Sequence, residues 1–112
     1  MYPSGRWEGF WQQEGYGRQS MAAFSLRFAG GKVAGEGTDV IGPFAFAGEY
    51  DETTGRVLMV KQYVRRHRVV YDGRPDGEGC IGGTWTLAHL TGPFRLRPVL
   101  PKPTGDEPIR EL

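Results

Sequence analysis

Apolar and polar residues alternate with period two along most of this chain, between glycine-rich breaks, while the three-to-four spacing of a helix is nearly absent. Successive side chains of an extended strand point to opposite faces, so this alternation describes strands with one buried face. It predicts strands at Arg6 to Gln13, Ser20 to Ala29, Lys32 to Val40, Pro43 to Asp51, Arg56 to Val64, His67 to Tyr71, Cys80 to Leu87 and Pro93 to Pro98. The links between them carry turn residues and are mostly too short for crossover helices, so neighbours should pair antiparallel in an up-and-down meander. One junction is ambiguous. Only Arg65 and Arg66 separate Val64 from His67, and neither favours positive φ, which leaves a strained hairpin or one long bent strand, and seven or eight strands.

A chain of 112 residues is the size of one domain with one core. The expected architecture is all-β, a single antiparallel barrel over residues 1–98. Three prolines interrupt residues 99–112, which read as a flexible tail or one that orders against a partner. Fourteen basic and thirteen acidic residues nearly cancel, so no global field points to nucleic acid or membrane, and neither is expected as a partner. The opening residues Met1 to Arg6 contain no apolar stretch, and the single Cys80 cannot form an internal disulfide. Both fit a cytoplasmic location.

Parity assigns each strand an inner face. The second strand places Ala22, Phe24, Leu26 and Phe28 inside, and the fourth Phe44, Phe46, Gly48 and Tyr50. The first offers Trp7, Gly9 and Trp11, the seventh Ile81, Gly83 and Trp85, and the eighth Phe94 and Leu96. In the third, Asp39 shares the inner side with Val33, Gly35 and Gly37.

The segment from Val57 to Tyr71 is the most informative. Its odd positions include Met59, Lys61, Tyr63, His67 and Tyr71; with these facing inward, they join Asp39 inside or at a mouth of the barrel. A lysine and an aspartate are costly to bury unless they meet each other, a ligand or water. The polar candidates are therefore Asp39, Lys61, Tyr63, His67 and Tyr71, with Trp7, Trp11, Phe44, Tyr50, Met59 and Trp85 as walls. The same residues also suit a structural ion pair within a filled core.

Other motifs carry less. Gly77 to Gly82 matches G-x-G-x-x-G, but Thr84-Trp85-Thr86-Leu87 follows where a dinucleotide motif needs a helix. His67, His89 and Cys80 lack the spacing of a metal site, and no nucleophile motif is present. Arg65, Arg66, His67 and Arg68 form a basic run, which reads as a solvated turn or a phosphate contact. With odd residues inside, Ala45, Ala47, Leu58, Val60, Val64 and Val70 face outward, a patch that self-association into a dimer or tetramer would cover.

Gly5-Arg6-Trp7 opening the first strand and Ile81-Gly82-Gly83-Thr84-Trp85-Thr86-Leu87 in the penultimate strand resemble the avidin and lipocalin type of barrel across residues 5–98. The resemblance implies a barrel that holds a small ligand, barrel-to-barrel packing, and Trp7 and Trp85 as lining residues. It does not extend to biotin, because Glu8-Gly9-Phe10-Trp11-Gln12 lacks the asparagine and serine of the avidin pattern. The expected role is a non-catalytic binder of a small, partly apolar molecule without a cofactor. The alternatives are an interaction module with a filled barrel, and an enzyme built on Lys61, Asp39 and His67.

Overall fold

A computed structural model describes residues 2–100. Its strands are β1 (Gly5–Gln13), β2 (Gly17–Ala29), β3 (Lys32–Thr38), β4 (Pro43–Tyr50), β5 (Val57–Tyr63), β6 (Arg68–Pro75), β7 (Ile81–Leu87) and β8 (Leu90–Pro98). Each pairs antiparallel with the next, and β8 returns to β1 from Trp7↔Pro98 to Trp11↔Phe94. The eight strands thus close into an up-and-down barrel, which leaves no sheet edge open to another chain. The expected tail beyond Leu100 lies outside the described residues.

The junction at Arg65 and Arg66 is a hairpin. Arg65 takes φ +59°, an unfavourable conformation for a residue with a Cβ, and the turn is tied by Arg66 N–H to Tyr63 O at 3.1 Å and Val64 N–H to Pro43 O at 3.0 Å. Gln62 reinforces it, its side-chain amide donating to Arg66 O at 2.8 Å. The segment expected to turn between Asp72 and Gly79 is shorter than its composition suggests: β6 runs on to Pro75 and pairs it with Ile81. The last hairpin likewise narrows to Ala88 and His89, with Ala88 at φ +54°.

Odd residues of β5 and β6 face inward, in phase with Phe44 and Phe46 of β4. Val57, Met59, Lys61, Tyr63, Val69 and Tyr71 are buried, whereas Leu58, Gln62, Arg68 and Val70 are exposed. The second strand departs from its expected parity. Ala22 is exposed and Met21 is buried, because the β1–β2 register shifts between Trp7↔Phe24 and Gly9↔Met21. Two residues of β2 oppose Glu8 at this bulge, which reverses the phase of everything before Phe24.

The two ends of the barrel differ. At one, Tyr2 packs on Trp7, Phe28 and Tyr50 with ring centroids 6.1, 5.1 and 6.5 Å away, and its hydroxyl donates to Gly55 O at 2.5 Å. That end is plugged. Between the ends, Met21, Leu26, Phe46, Met59, Ile81 and Leu96 are fully buried, as expected for a barrel just wide enough to be filled by side chains. The other end is the mouth, where the β1–β2, β3–β4, β5–β6 and β7–β8 turns meet.

Candidate functional site

The site at the mouth begins with Asp39, just past the last residue of β3. Its amide donates to Gly42 O at 3.1 Å, and its Oδ1 accepts from the Ile41 amide at 3.0 Å. This Asx turn holds the carboxylate over the barrel interior. Its Oδ2 accepts from Lys61 Nζ at 2.6 Å, Tyr63 Oη at 2.6 Å and Trp11 Nε1 at 3.2 Å. Two strands, β1 and β5, therefore deliver three donors to one oxygen.

Lys61 comes from the middle of β5, and neither its side chain nor that of Asp39 reaches solvent. The ammonium has three hydrogens to place, and three acceptors surround it: Asp39 Oδ2, Tyr71 Oη at 3.3 Å and Met21 Sδ at 3.2 Å. It also lies 4.4 Å from the centroid of Phe44 and 4.8 Å from that of Tyr63, where the ring faces attract a cation. A buried charge held this way has its hydrogen-bonding capacity filled.

Burial dominates the titration of the cluster. It pushes the Lys61 ammonium down to about 8, against the opposing pull of Asp39. Burial also works to raise the Asp39 carboxyl, but the hydrogen bonds from Lys61 and Tyr63 and the Lys61 charge prevail and hold it below its ordinary value. Tyr63 and Tyr71 are raised, first by burial and then by the Asp39 carboxylate. The pair is thus charged at neutral pH and both phenols keep their protons.

Above this floor opens a cavity of about 50 Å³ lined by Trp11, Gln13, Ile41, Tyr63, His67, Val69, Tyr71, Trp85 and Leu87. Trp11 and Trp85 meet edge to face with centroids 6.1 Å apart. Both indole N–H groups are already committed, Trp11 to Asp39 and Trp85 to Gln12 O at 2.9 Å. The Trp85 bond depends on Gly92, where an added Cβ would stand 2.0 Å from Gln12 O and 2.8 Å from the indole nitrogen. The Tyr71 hydroxyl differs from these: it accepts from Lys61, and its own proton finds no acceptor among the described residues.

Eight of the residues singled out from the sequence gather at this end: Trp11, Asp39, Phe44, Lys61, Tyr63, His67, Tyr71 and Trp85. His67 is on the rim, exposed, its ring centroid 5.0 Å from that of Tyr63. It does not join the ion pair because the turn at Arg65 breaks the alternation before it. Trp7, Tyr50 and Met59 are not brought to the cavity. Trp7 donates to Pro3 O at 3.0 Å at the plugged end, Tyr50 packs on Phe28 there, and Met59 fills the centre beside Gly48. Sequence reasoning passed over Met21, which the bulge conceals, and Ile41, which acts through its backbone. Among the described residues, no three His, Cys, Asp or Glu side chains come together as a metal set.

No family model, curated protein or solved structure matches this chain. The structure shows an eight-stranded antiparallel closed barrel, and no family or solved structure ties it to the avidin or lipocalin type.

Proposed function

We propose that this protein is a non-catalytic binder that takes the tip of a small, partly apolar molecule at the open mouth of its barrel. The carrying observation is the asymmetry of the two ends: Tyr2 plugs one, while the other ends in an aromatic-walled cavity. Its volume of about 50 Å³ is small beside the about 300–1,000 Å³ of a pocket that engulfs a ligand. Only a narrow end of a molecule enters, and the remainder stays outside. Trp11, Ile41, Val69, Trp85 and Leu87 supply apolar contact, and the Tyr71 hydroxyl supplies one donor. Sealing of Lys61 and Asp39 from solvent favours a structural role for the pair over nucleophilic or acid–base work.

Titration with a neutral probe, 1-hexanol, followed through the indole N–H resonances of the three tryptophans, tests this. Binding at the mouth moves the Trp11 and Trp85 signals and leaves Trp7 in place, and Leu87→Trp, which fills the entrance, abolishes the shifts. Equal movement of all three, or none at saturation, overturns the reading.

A second reading has its own observation. Ala34, Ala47, Val60 and Val70 stand side by side across β3, β4, β5 and β6, and Leu58, Val64 and Val70 are 47%, 54% and 41% exposed. An apolar row of this kind on a barrel wall suits self-association between two copies. It is compatible with binding at the mouth, since the row lies on the outside.

A further inference from the structure

The mouth cavity is apolar, but the turn that supplies one of its walls is basic. His67 lines the cavity, and Arg65, Arg66 and Arg68 flank it, all exposed. Elsewhere on the barrel wall five cations are answered, Arg27 by Glu36, Lys32 by Glu49, Arg56 by Asp72, Arg95 by Asp76 and Glu78, and Arg97 by Glu8, while Arg6, Arg18 and Arg74 stand apart from one another without an acidic partner among the described residues. Among the described residues, Arg65, Arg66 and Arg68 form no ion pair.

The rest of the rim does not compensate. The β7–β8 turn brings His89, the β3–β4 turn exposes Val40, and the β1–β2 turn contributes Glu14 as the acid of this end; the Asp39 carboxylate is shut beneath. At the opposite end the turns instead carry Asp51, Glu52, Asp76 and Glu78. At the open end Arg65, Arg66 and Arg68 face only Glu14 among the exposed turn residues, so positive charge is in excess there. A cleft with charge of one sign at its entrance and apolar walls raises the local concentration of the opposite ion.

We infer that the occupant of the mouth is a small amphipathic anion, a carboxylate or similar acid whose apolar tip enters the cavity walled by Trp11 and Trp85 while its charged head meets the basic rim at Arg65, Arg66 and Arg68. The inference rests on the mouth site proposed above and adds the charge of what fills it. Arginine suits the task, because its planar fork pairs two donors with a carboxylate and loses little hydration in doing so. The tip must be slender, since the enclosed space is about 50 Å³, and an unbranched alkyl end meets that limit better than a ring. The backbone that carries these cations is fixed, because Gln62 and the Tyr63, Pro43 and His67 backbone bonds tie the hairpin down.

Three probes with one tail and different heads separate the charge from the site: hexanoate, 1-hexanol and hexylamine, each titrated against the intact chain with the Trp11 and Trp85 indole signals as readout. Hexanoate should bind at least about tenfold more tightly than hexanol at low ionic strength, and hexylamine less tightly than hexanol. Raising the salt to about 0.5 M should remove most of the hexanoate advantage. Arg65→Gly/Arg66→Gln/Arg68→Gln, in which glycine suits the positive φ of position 65, should bring hexanoate to the hexanol level. Equal affinity of hexanoate and hexanol in the parent protein overturns the anion inference and leaves the mouth site standing. Failure of all three probes to move either indole overturns the site itself.

Discussion

Lys61 Nζ and Asp39 Oδ2 sit 2.6 Å apart with both side chains closed off from solvent. Such a pair is costly to assemble but costlier to break, because removal of one partner strands a charge in the interior. Lys61→Met should destabilise the fold by about 3–5 kcal/mol, and Asp39→Leu should cost at least as much, because Tyr63, Trp11 and the Ile41 amide also lose their acceptor. The double variant Lys61→Met/Asp39→Leu should lose less than the sum of its single changes. Denaturant midpoints for the four proteins check this; strict additivity would show that the two groups do not stabilise one another.

The pH dependence follows from the same cluster. Lys61 is lowered from 10.5 to about 8, so between those values the unfolded chain binds more protons and stability rises with pH. Tyr63 and Tyr71 are raised above their ordinary 10, so above that point the unfolded chain has released protons that the folded one keeps, and stability falls. Asp39 is lowered from 3.8; its contribution is present above that value and is lost as acid titrates the folded carboxyl. Chemical denaturation across pH should therefore find maximal stability on the alkaline side, between about 8 and 10. A maximum below pH 7 would contradict these assignments.

Gly92→Ala should uncouple the two tryptophans at the mouth. The new methyl overlaps Gln12 O and the Trp85 indole nitrogen, and the expected loss is at least about 2 kcal/mol. A selective shift of the Trp85 indole N–H resonance should accompany it. Unchanged thermal stability and an unmoved resonance would place the glycine outside the support of the site.

Two turns carry strain that glycine would relieve. Arg65 and Ala88 hold φ of +59° and +54°, where a Cβ costs about 1–2 kcal/mol, and glycine's greater freedom when unfolded returns about half of that. Arg65→Gly and Ala88→Gly should each raise stability by about 0.5–1 kcal/mol. Thermal melts check the sign; a lowered melting temperature for both would mean that the native side chains contribute contacts worth more than the strain.

Val60→Glu probes the outer row. The side chain points away from the core between Ala47 and Val70, so under the self-association reading proposed above the parent should sediment as a dimer or larger species and the variant, with unchanged circular dichroism, as a monomer. A folded variant with the parent's assembly state would remove self-association through this face.

Much of the fold was legible because strand parity is a local property. A residue's face follows from its neighbours two positions away, and this placed Lys61, Tyr63 and Tyr71 inside together with Phe44 and Phe46 before any contact was known. The polar inner position of Asp39 was visible by the same rule. Where the backbone slips, the rule misleads: the bulge opposite Glu8 turned Met21 inward and Ala22 outward.

The alternation of apolar residues and the turn chemistry by themselves determined seven or eight short antiparallel strands, most of their inner faces and the need for a buried lysine to find an acid. Tertiary structure alone decided that Trp11 and Trp85 share one mouth while Trp7 and Tyr50 belong to the other end, and that the interior is filled to leave about 50 Å³. The division has a physical cause. Which way a side chain points depends on the residues beside it, whereas which rings meet across a barrel, and how much space remains between them, depends on closure of β1 onto β8 and on the summed volume of every strand at once.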